Sequence, residues 1–197
     1  MNEIIGALPG WCSGEKMGLL TQFIKDRNMK LTVEIGVYGG RSLLPQALAH
    51  KLYTGGIAIG IDPWTVQDAI QNFPDELSKN ALNDSVRETD FGALLQGVYK
   101  AIDELDVRAH CELLRMKSSE AIGSFLDNSI DLLHIDGNHS LDSVMEDVKL
   151  YIPKVKKGGL IWFDDESWAT VMKAIEYAGK FCSSISQNGY CIMERTV

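Results

Sequence analysis

The chain has 197 residues, 45% hydrophobic and 23% charged, which fits one globular domain with a sizeable core and excludes disordered or fibrous architectures. A formal net charge of −8, with Lys156 and Lys157 as the longest basic run, argues against a nucleic-acid partner. No run of about 18 apolar residues occurs and no basic, apolar leader opens the chain, so a cytoplasmic protein away from the membrane is expected; its four cysteines lack C-x-x-C spacing and are expected to be reduced thiols.

From Glu15 to Arg27 the apolar Met17, Leu19, Leu20, Phe23 and Ile24 fall largely on one helical face, giving an amphipathic helix within an N-terminal segment, 1–30. "LTVEIG" (31–36) reads as a first strand stopped by glycine, and "RSLLPQALAHKL" follows with helical spacing. "GGIAIGID" (55–62) is a second strand that ends in Asp62 before Pro63. From Pro63 the pattern weakens: a short helix at Val66 to Asn72, a break near Pro74 and a longer helix from Thr89 to Leu105. Residues 63–108 are long for a simple crossover and are a candidate lid or dimer surface, with homodimer formation left open. "AHCELLRM" (109–116) is a third strand, "SSEAIGSFL" a helix with a serine cap, and "IDLLHID" (130–136) a fourth strand. "SLDSVMEDVKLYI" is helical, "GGLIWFDD" (158–165) is a fifth strand and "SWATVMKAIEYAGKF" a last helix. Two short strands, Ser183 to Ser186 and Tyr190 to Glu194, close the chain around an Asn188-Gly189 hairpin signal.

Strands alternating with helices give an α/β fold: a doubly wound, mainly parallel Rossmann-like sheet with helices on both faces and an antiparallel edge hairpin. Such sheets bind ligands beyond the carboxyl ends of their strands. Those ends hold Glu34 with Gly36, Asp62, Met116 to Ser118, Asp136 with His139, and Asp164 with Asp165. Acids gathered on one rim raise one another's pKa unless a cation or hydrogen-bond donors intervene, so the pattern calls for a cation or a hydroxyl-bearing ligand. In "EIGVYGGRS", Gly36, Gly39 and Gly40 permit positive φ and close backbone approach, and Ser42 offers a hydroxyl. A tight turn without a ligand explains this stretch equally well by itself. Together with Asp62, which can accept ribose hydroxyls, the turn becomes a nucleoside site. The G-x-x-G-G spacing departs from the dinucleotide fingerprint, which disfavours the alternative of a nicotinamide-dependent oxidoreductase.

"VEIGVYGGRS", "IGIDPW", "KSSEAI", "DLLHIDGNHS" and "GGLIWFDDESW", in that order, resemble the successive motifs of class I S-adenosylmethionine-dependent methyltransferases. They most resemble the metal-dependent O-methyltransferases of the catechol and the sugar or antibiotic-tailoring types. The resemblance implies that Glu34, Gly36, Tyr38 and Ser42 surround the methionine part of the cofactor, with Gly40 in the same turn, Asp62 on the ribose and Ser118 against the adenine. It also implies Mg²⁺, or Mn²⁺ or Ca²⁺, on Asp136, Asp164 and Asp165, with Asp136 serving the cofactor site as well. His139 matches the position of the catalytic lysine in the catechol-type enzymes.

Neighbouring fourth and fifth strands would bring their ends to about 4.8 Å, close enough for one cation to bridge hard oxygen donors. The expected function is cation-dependent methyl transfer to a hydroxyl of a small-molecule acceptor, with His139 taking the proton. The plainer alternatives are that Asp164 or Asp165 caps the helix after it, that His139 is an ordinary loop histidine, and that the chain is a non-catalytic S-adenosylmethionine-binding module. His134, inside the fourth strand, is expected to face the core, and Trp168 lies near enough to the acidic pair to line an acceptor site.

Overall fold

The computed structural model describes residues 3–71, 83–187 and 189–197. The strands β1 (Leu31–Ile35), β2 (Ile57–Ile61), β3 (Cys111–Leu114), β4 (Ile130–Ile135), β5 (Val155–Asp164), β6 (Cys182–Gln187) and β7 (Tyr190–Arg195) form one sheet in the order β3-β2-β1-β4-β5-β7-β6. The first five run parallel, and β7 lies antiparallel to both β5 and β6. The hairpin therefore forms at the sheet edge as expected, with its antiparallel strand one place in from that edge. The expected break near Pro74 and residue Asn188 of the hairpin turn lie outside the described residues.

Alternation along the parallel strands decides what each face meets. Val33, Ile35, Leu133, Ile135, Ile161 and Phe163 pack on one face with α8 (Leu141–Tyr151) and α9 (Ala169–Ala178). The even-numbered Leu132, Leu160 and Trp162 meet Leu20 and Ile24 of α2 (Gly14–Asp26) on the other face. There α3 (Leu43–Ala49) and α6 (Phe91–Glu104) pack Leu43, Leu44, Ala47, Leu95 and Val98 together. Buried on both faces, these strands read in sequence as near-continuous apolar runs, which is why they were visible there. Among the described residues, further α-helical segments are α1 (Glu3–Gly6), α4 (Val66–Ala69), α5 (83–88) and α7 (Ser118–Ala121).

Two local expectations change. β5 begins at Val155, three residues before the glycine pair that reads as its boundary: Gly158, at φ 78°, and Gly159 sit inside the strand where its register with β4 shifts. The pair is a bulge within the strand. The helix after β3 is not capped by serine. Lys117 takes the N-cap position and its N–H donates to Glu120 (3.0 Å), while the Ser118 hydroxyl turns to Asp147 on α8.

Candidate active site

The carboxyl ends of β1, β2, β4 and β5 open on a cavity of about 660 Å³. At its floor, β1 and β4 approach so closely that a Cβ on Gly36 would stand 2.1 Å from the Asp136 carbonyl oxygen, and Gly36 has φ 87°. The next turn passes through Tyr38 at φ 50° and is held by Asp62, whose Oδ2 accepts the N–H of Val37 and of Tyr38, both at 3.0 Å. Asp62 Oδ1 accepts from the Trp64 N–H at 2.6 Å. Burial pushes the Asp62 carboxyl up against the pull of these three bonds. A carboxylate offers about four lone-pair sites, so this one keeps room for one further hydroxyl, not for two.

Gly36, Tyr38, Ser42, Asp62, Ser118, Asp136, His139, Asp164 and Asp165 all line the cavity, as expected of the rim. Glu34 and Gly40 stand behind it. Glu34 is fully buried at an even strand position, which turns it to the α3 face: Ser42 Oγ donates to its Oε1 (2.8 Å), and Gln46 Nε2 (2.7 Å) and His134 Nδ1 (2.9 Å) donate to its Oε2. It bears on the cavity through Ser42, which lines it. Gly40, at φ 81°, backs onto Val98 of α6.

The acids divide into two neighbourhoods. Asp164 shares the even face with His134 and with α2, and there Lys16, one turn above Leu20 on the buried stripe of α2, makes an ion pair with Asp164 Oδ1. His134 Nε2 lies 3.7 Å from Asp164 Oδ2, an electrostatic contact too long for a hydrogen bond. Burial alone would strip the His134 proton, but the Asp164 and Glu34 carboxylates outweigh it and push the imidazole up to about 10. Burial likewise opposes ionisation of Asp164, yet His134 and Lys16 hold its carboxyl well below the usual range. Asp165, at φ 51°, faces the other way, with Oδ2 at 3.5 Å from His139 Nε2.

Asp136 lies between these neighbourhoods. Among the described residues nothing donates to its carboxylate, and burial together with the Asp164, Glu34 and Asp165 charges raises its pKa well above the ordinary value, against the pull of His134. His134, Asp136 and Asp164 form one group of potential metal-ligand atoms within 4.8 Å of one another, and Asp136, His139 and Asp165 form a second. The residues thus fit a cation centred on Asp136. Asp164 enters that set only in competition with Lys16, a cation that sequence reasoning missed, although its place at the head of an apolar helical stripe was a signal.

His139 is held in place at the cavity wall. Its backbone N–H donates to Gln71 Oε1 (2.9 Å), its ring packs 4.8 Å from that of Trp168, and burial lowers its pKa, keeping the imidazole neutral. Asn138 Nδ2 donates to the carbonyls of Asp68 (2.9 Å) and Ile70 (2.8 Å), tying this loop to the segment after β2. Neither aspartate caps α9, whose N-cap is Trp168. Cys12 also lines the cavity, but burial pushes its thiol up to about 12, which removes it as a soft ligand or nucleophile.

The family model described as "Methyltransferase domain" matches residues 33–166. An uncharacterized protein, R132, of Acanthamoeba polyphaga mimivirus is 33% identical over 136 residues, 68% of this chain; the chain spans half the length of that curated relative. Among solved structures, the O-methyltransferase TomG from Streptomyces achromogenes, involved in tomaymycin synthesis and solved in complex with SAM, superposes with a TM-score of 0.70 at 14% identity, covering 100% of this chain and 91% of that one. An O-methyltransferase from Bacillus cereus in complex with SAH gives 0.66 at 12% identity, covering 99% and 92%. Both likenesses are of fold.

Proposed function

The chain belongs to the methyltransferase domain family, within the class I S-adenosylmethionine-dependent enzymes, and from that premise we propose that it is a divalent-cation-dependent O-methyltransferase acting on a small hydroxylated acceptor. The observation that carries this reading is the Asp136 carboxylate, set among like charges with no donor among the described residues and facing a cavity of about 660 Å³. Such a group is stabilised by positive charge, and both a divalent ion and the cationic end of the cofactor supply it.

Gly36 and Tyr38, which line the cavity, would flank that cationic end, and Asp62, with three of its lone pairs taken by backbone N–H groups, would accept one ribose hydroxyl. Asp136 and Asp165 would hold the ion, with Asp164 joining when Lys16 turns aside. A divalent ion there would supply the charge that lowers the pKa of an acceptor hydroxyl. His139 Nε2 takes the hydroxyl proton, for which its neutral, buried ring is prepared, and Asp165 at 3.5 Å stabilises the imidazolium that results. S-adenosylmethionine, when bound there, would supply the methyl group for the deprotonated acceptor oxygen and leave as S-adenosylhomocysteine. Trp168 and the loop held by Asn138 fix the His139 ring, so positioning contributes to the rate.

Calorimetric titration tests both halves of the reading. S-adenosylmethionine should bind, at least tenfold more weakly to Asp62→Ala, and Mn²⁺ should bind the wild-type chain but not Asp136→Asn. Absence of cofactor binding, or Mn²⁺ binding that survives Asp136→Asn, would sink the corresponding half.

A further inference from the structure

The loop after β4 is stitched to the segment after β2. Asn138 Nδ2 donates to the carbonyls of Asp68 and Ile70 at the end of α4, where the last carbonyls of a helix lack partners within it. Asn138 Oδ1 accepts the Ser140 N–H at 2.9 Å, so both ends of the amide are engaged. Beside these bonds the His139 N–H donates to Gln71 Oε1 at 2.9 Å. Gln71 is itself clamped. Asn83, the first residue of α5 and 2% exposed, accepts the Gln71 N–H at Oδ1 and donates from Nδ2 to the Gln71 carbonyl, both at 2.9 Å. One side chain thus pairs with both backbone polar groups of Gln71, much as a neighbouring strand would, and fixes the point from which the Gln71 side chain reaches His139.

The His139 ring lacks the hydrogen bond that commonly orients a histidine base from its far side. Its Nδ1 is buried with no hydrogen-bond partner among the described residues, and Nε2 makes only the 3.5 Å electrostatic contact with Asp165. The imidazole is aimed instead by the Trp168 ring against its face and by the backbone from which it hangs. A misplacement of about 1 Å in a reacting group costs as much as 100-fold in rate, so whatever places that backbone bears on the reaction.

We propose that Gln71 is a positioning residue for His139, placing the imidazole through its backbone N–H, with Asn83 holding Gln71 in register. This rests on the reading of His139 as the base. The sequence did not disclose it, because Gln71 lies in the weakly patterned stretch after Pro63 and meets His139, 68 residues on, only through the fold.

The test reads the ring first, by NMR: the chain has four histidines, assignable by single substitutions, and the Trp168 indole shifts the ring protons of His139. Gln71→Met, close in size but without the acceptor, should move the His139 ring resonances and leave those of the buried His50 and His134 in place. Gln71→Glu, which keeps an acceptor, should leave all of them near their wild-type positions. Methyl transfer from S-adenosylmethionine to catechol with Mg²⁺ is the second readout. Gln71→Met should lower kcat by roughly 10–100-fold, with the catechol KM and S-adenosylhomocysteine affinity within about threefold, and Gln71→Glu should return kcat to within about fivefold of wild type. In the His139→Gln background, Gln71→Met should lower kcat by less than about threefold, because nothing is left to position. A purely structural role would lower Tm and leave the resonances and kcat alone. Unmoved resonances in Gln71→Met, an unchanged kcat, or a full loss that persists in the His139→Gln background overturns the proposal. Should Gln71→Met not fold, Asn83→Asp, which keeps the acceptor for the Gln71 N–H and loses the donor to its carbonyl, carries the same expectations. A wild-type chain that leaves catechol unmethylated counts against the reading of the reaction, and the resonances then decide the placement by themselves; a His139→Gln variant as active as wild type sinks the base and this proposal with it.

Discussion

At Gly36 a single hydrogen atom sets the geometry of the rim. Only its absent Cβ lets the ends of β1 and β4 approach, with the Asp136 N–H donating to the Ile35 carbonyl at 2.9 Å. Gly36→Ala should therefore cost about 3 kcal/mol or more, from positive-φ strain plus a backbone clash, and lower Tm by roughly 6–12 °C in thermal unfolding. In the sequence this glycine reads as a place that permits positive φ and close backbone approach; in the structure the approach is that of the β4 end, with a Cβ on Gly36 meeting the Asp136 carbonyl oxygen. His139 invites a kinetic test. His139→Gln should lower kcat by about 10²–10⁴ while S-adenosylhomocysteine affinity stays within twofold. Because burial lowers the pKa of His139, the wild-type rate should fall as pH drops through a value below the ordinary imidazole value of about 6.5, and that limb should vanish in the variant. An unchanged pH profile would remove His139 as the base.

Among the elements, the parallel strands and their alternation with helices were legible because buried strands leave unbroken apolar runs ending in glycine or acid. The carboxylates of the rim were legible for the same reason, since each follows such a run directly. What was not legible depends on contacts between elements. Lys16 lies 148 residues from Asp164 in sequence, and only the docking of α2 on the even face of the sheet brings them together. Glu34 carried a motif position without disclosing that the α3 face would take up its oxygens. The docking of α2 has a consequence for metal binding: Lys16→Met removes a cation competing for Asp164, so Mn²⁺ affinity measured by calorimetry should rise severalfold. A fall in affinity would mean that Lys16 supports the ion site, contrary to the arrangement described.

For the molecule as a whole, buried titratable groups set how stability responds to pH. The folded-state pKa of Asp147, about 7, lies above the ordinary 3.8, so the folded chain binds this proton more tightly than the unfolded chain does. The resulting stabilisation is fully present below pH 3.8 and is lost as pH rises toward 7. His50 acts in the opposite sense: burial lowers it from 6.5 to about 4, so its contribution is present above 6.5 and lost as pH falls toward 4. Asp147→Asn never ionises, and its Tm should exceed that of the wild-type chain by a margin that grows between pH 4 and pH 8; a margin independent of pH would contradict the shift. Among the described residues no helix is long and apolar enough to cross a membrane, and the proposed functional surface is the cavity at the rim of the sheet. In the proposed reaction this cavity transfers a methyl group to a hydroxyl with Asp136 at its centre. Its most direct test is the transfer of labelled methyl from S-adenosylmethionine to a panel of small phenols and sugars, followed by mass spectrometry with Mg²⁺, with EDTA, and with Asp136→Asn. The expected result is a methyl ether formed by the wild-type chain with Mg²⁺ and lost in the other two conditions, whereas equal product in all three, or none from a chain that binds the cofactor and the ion, would contradict it.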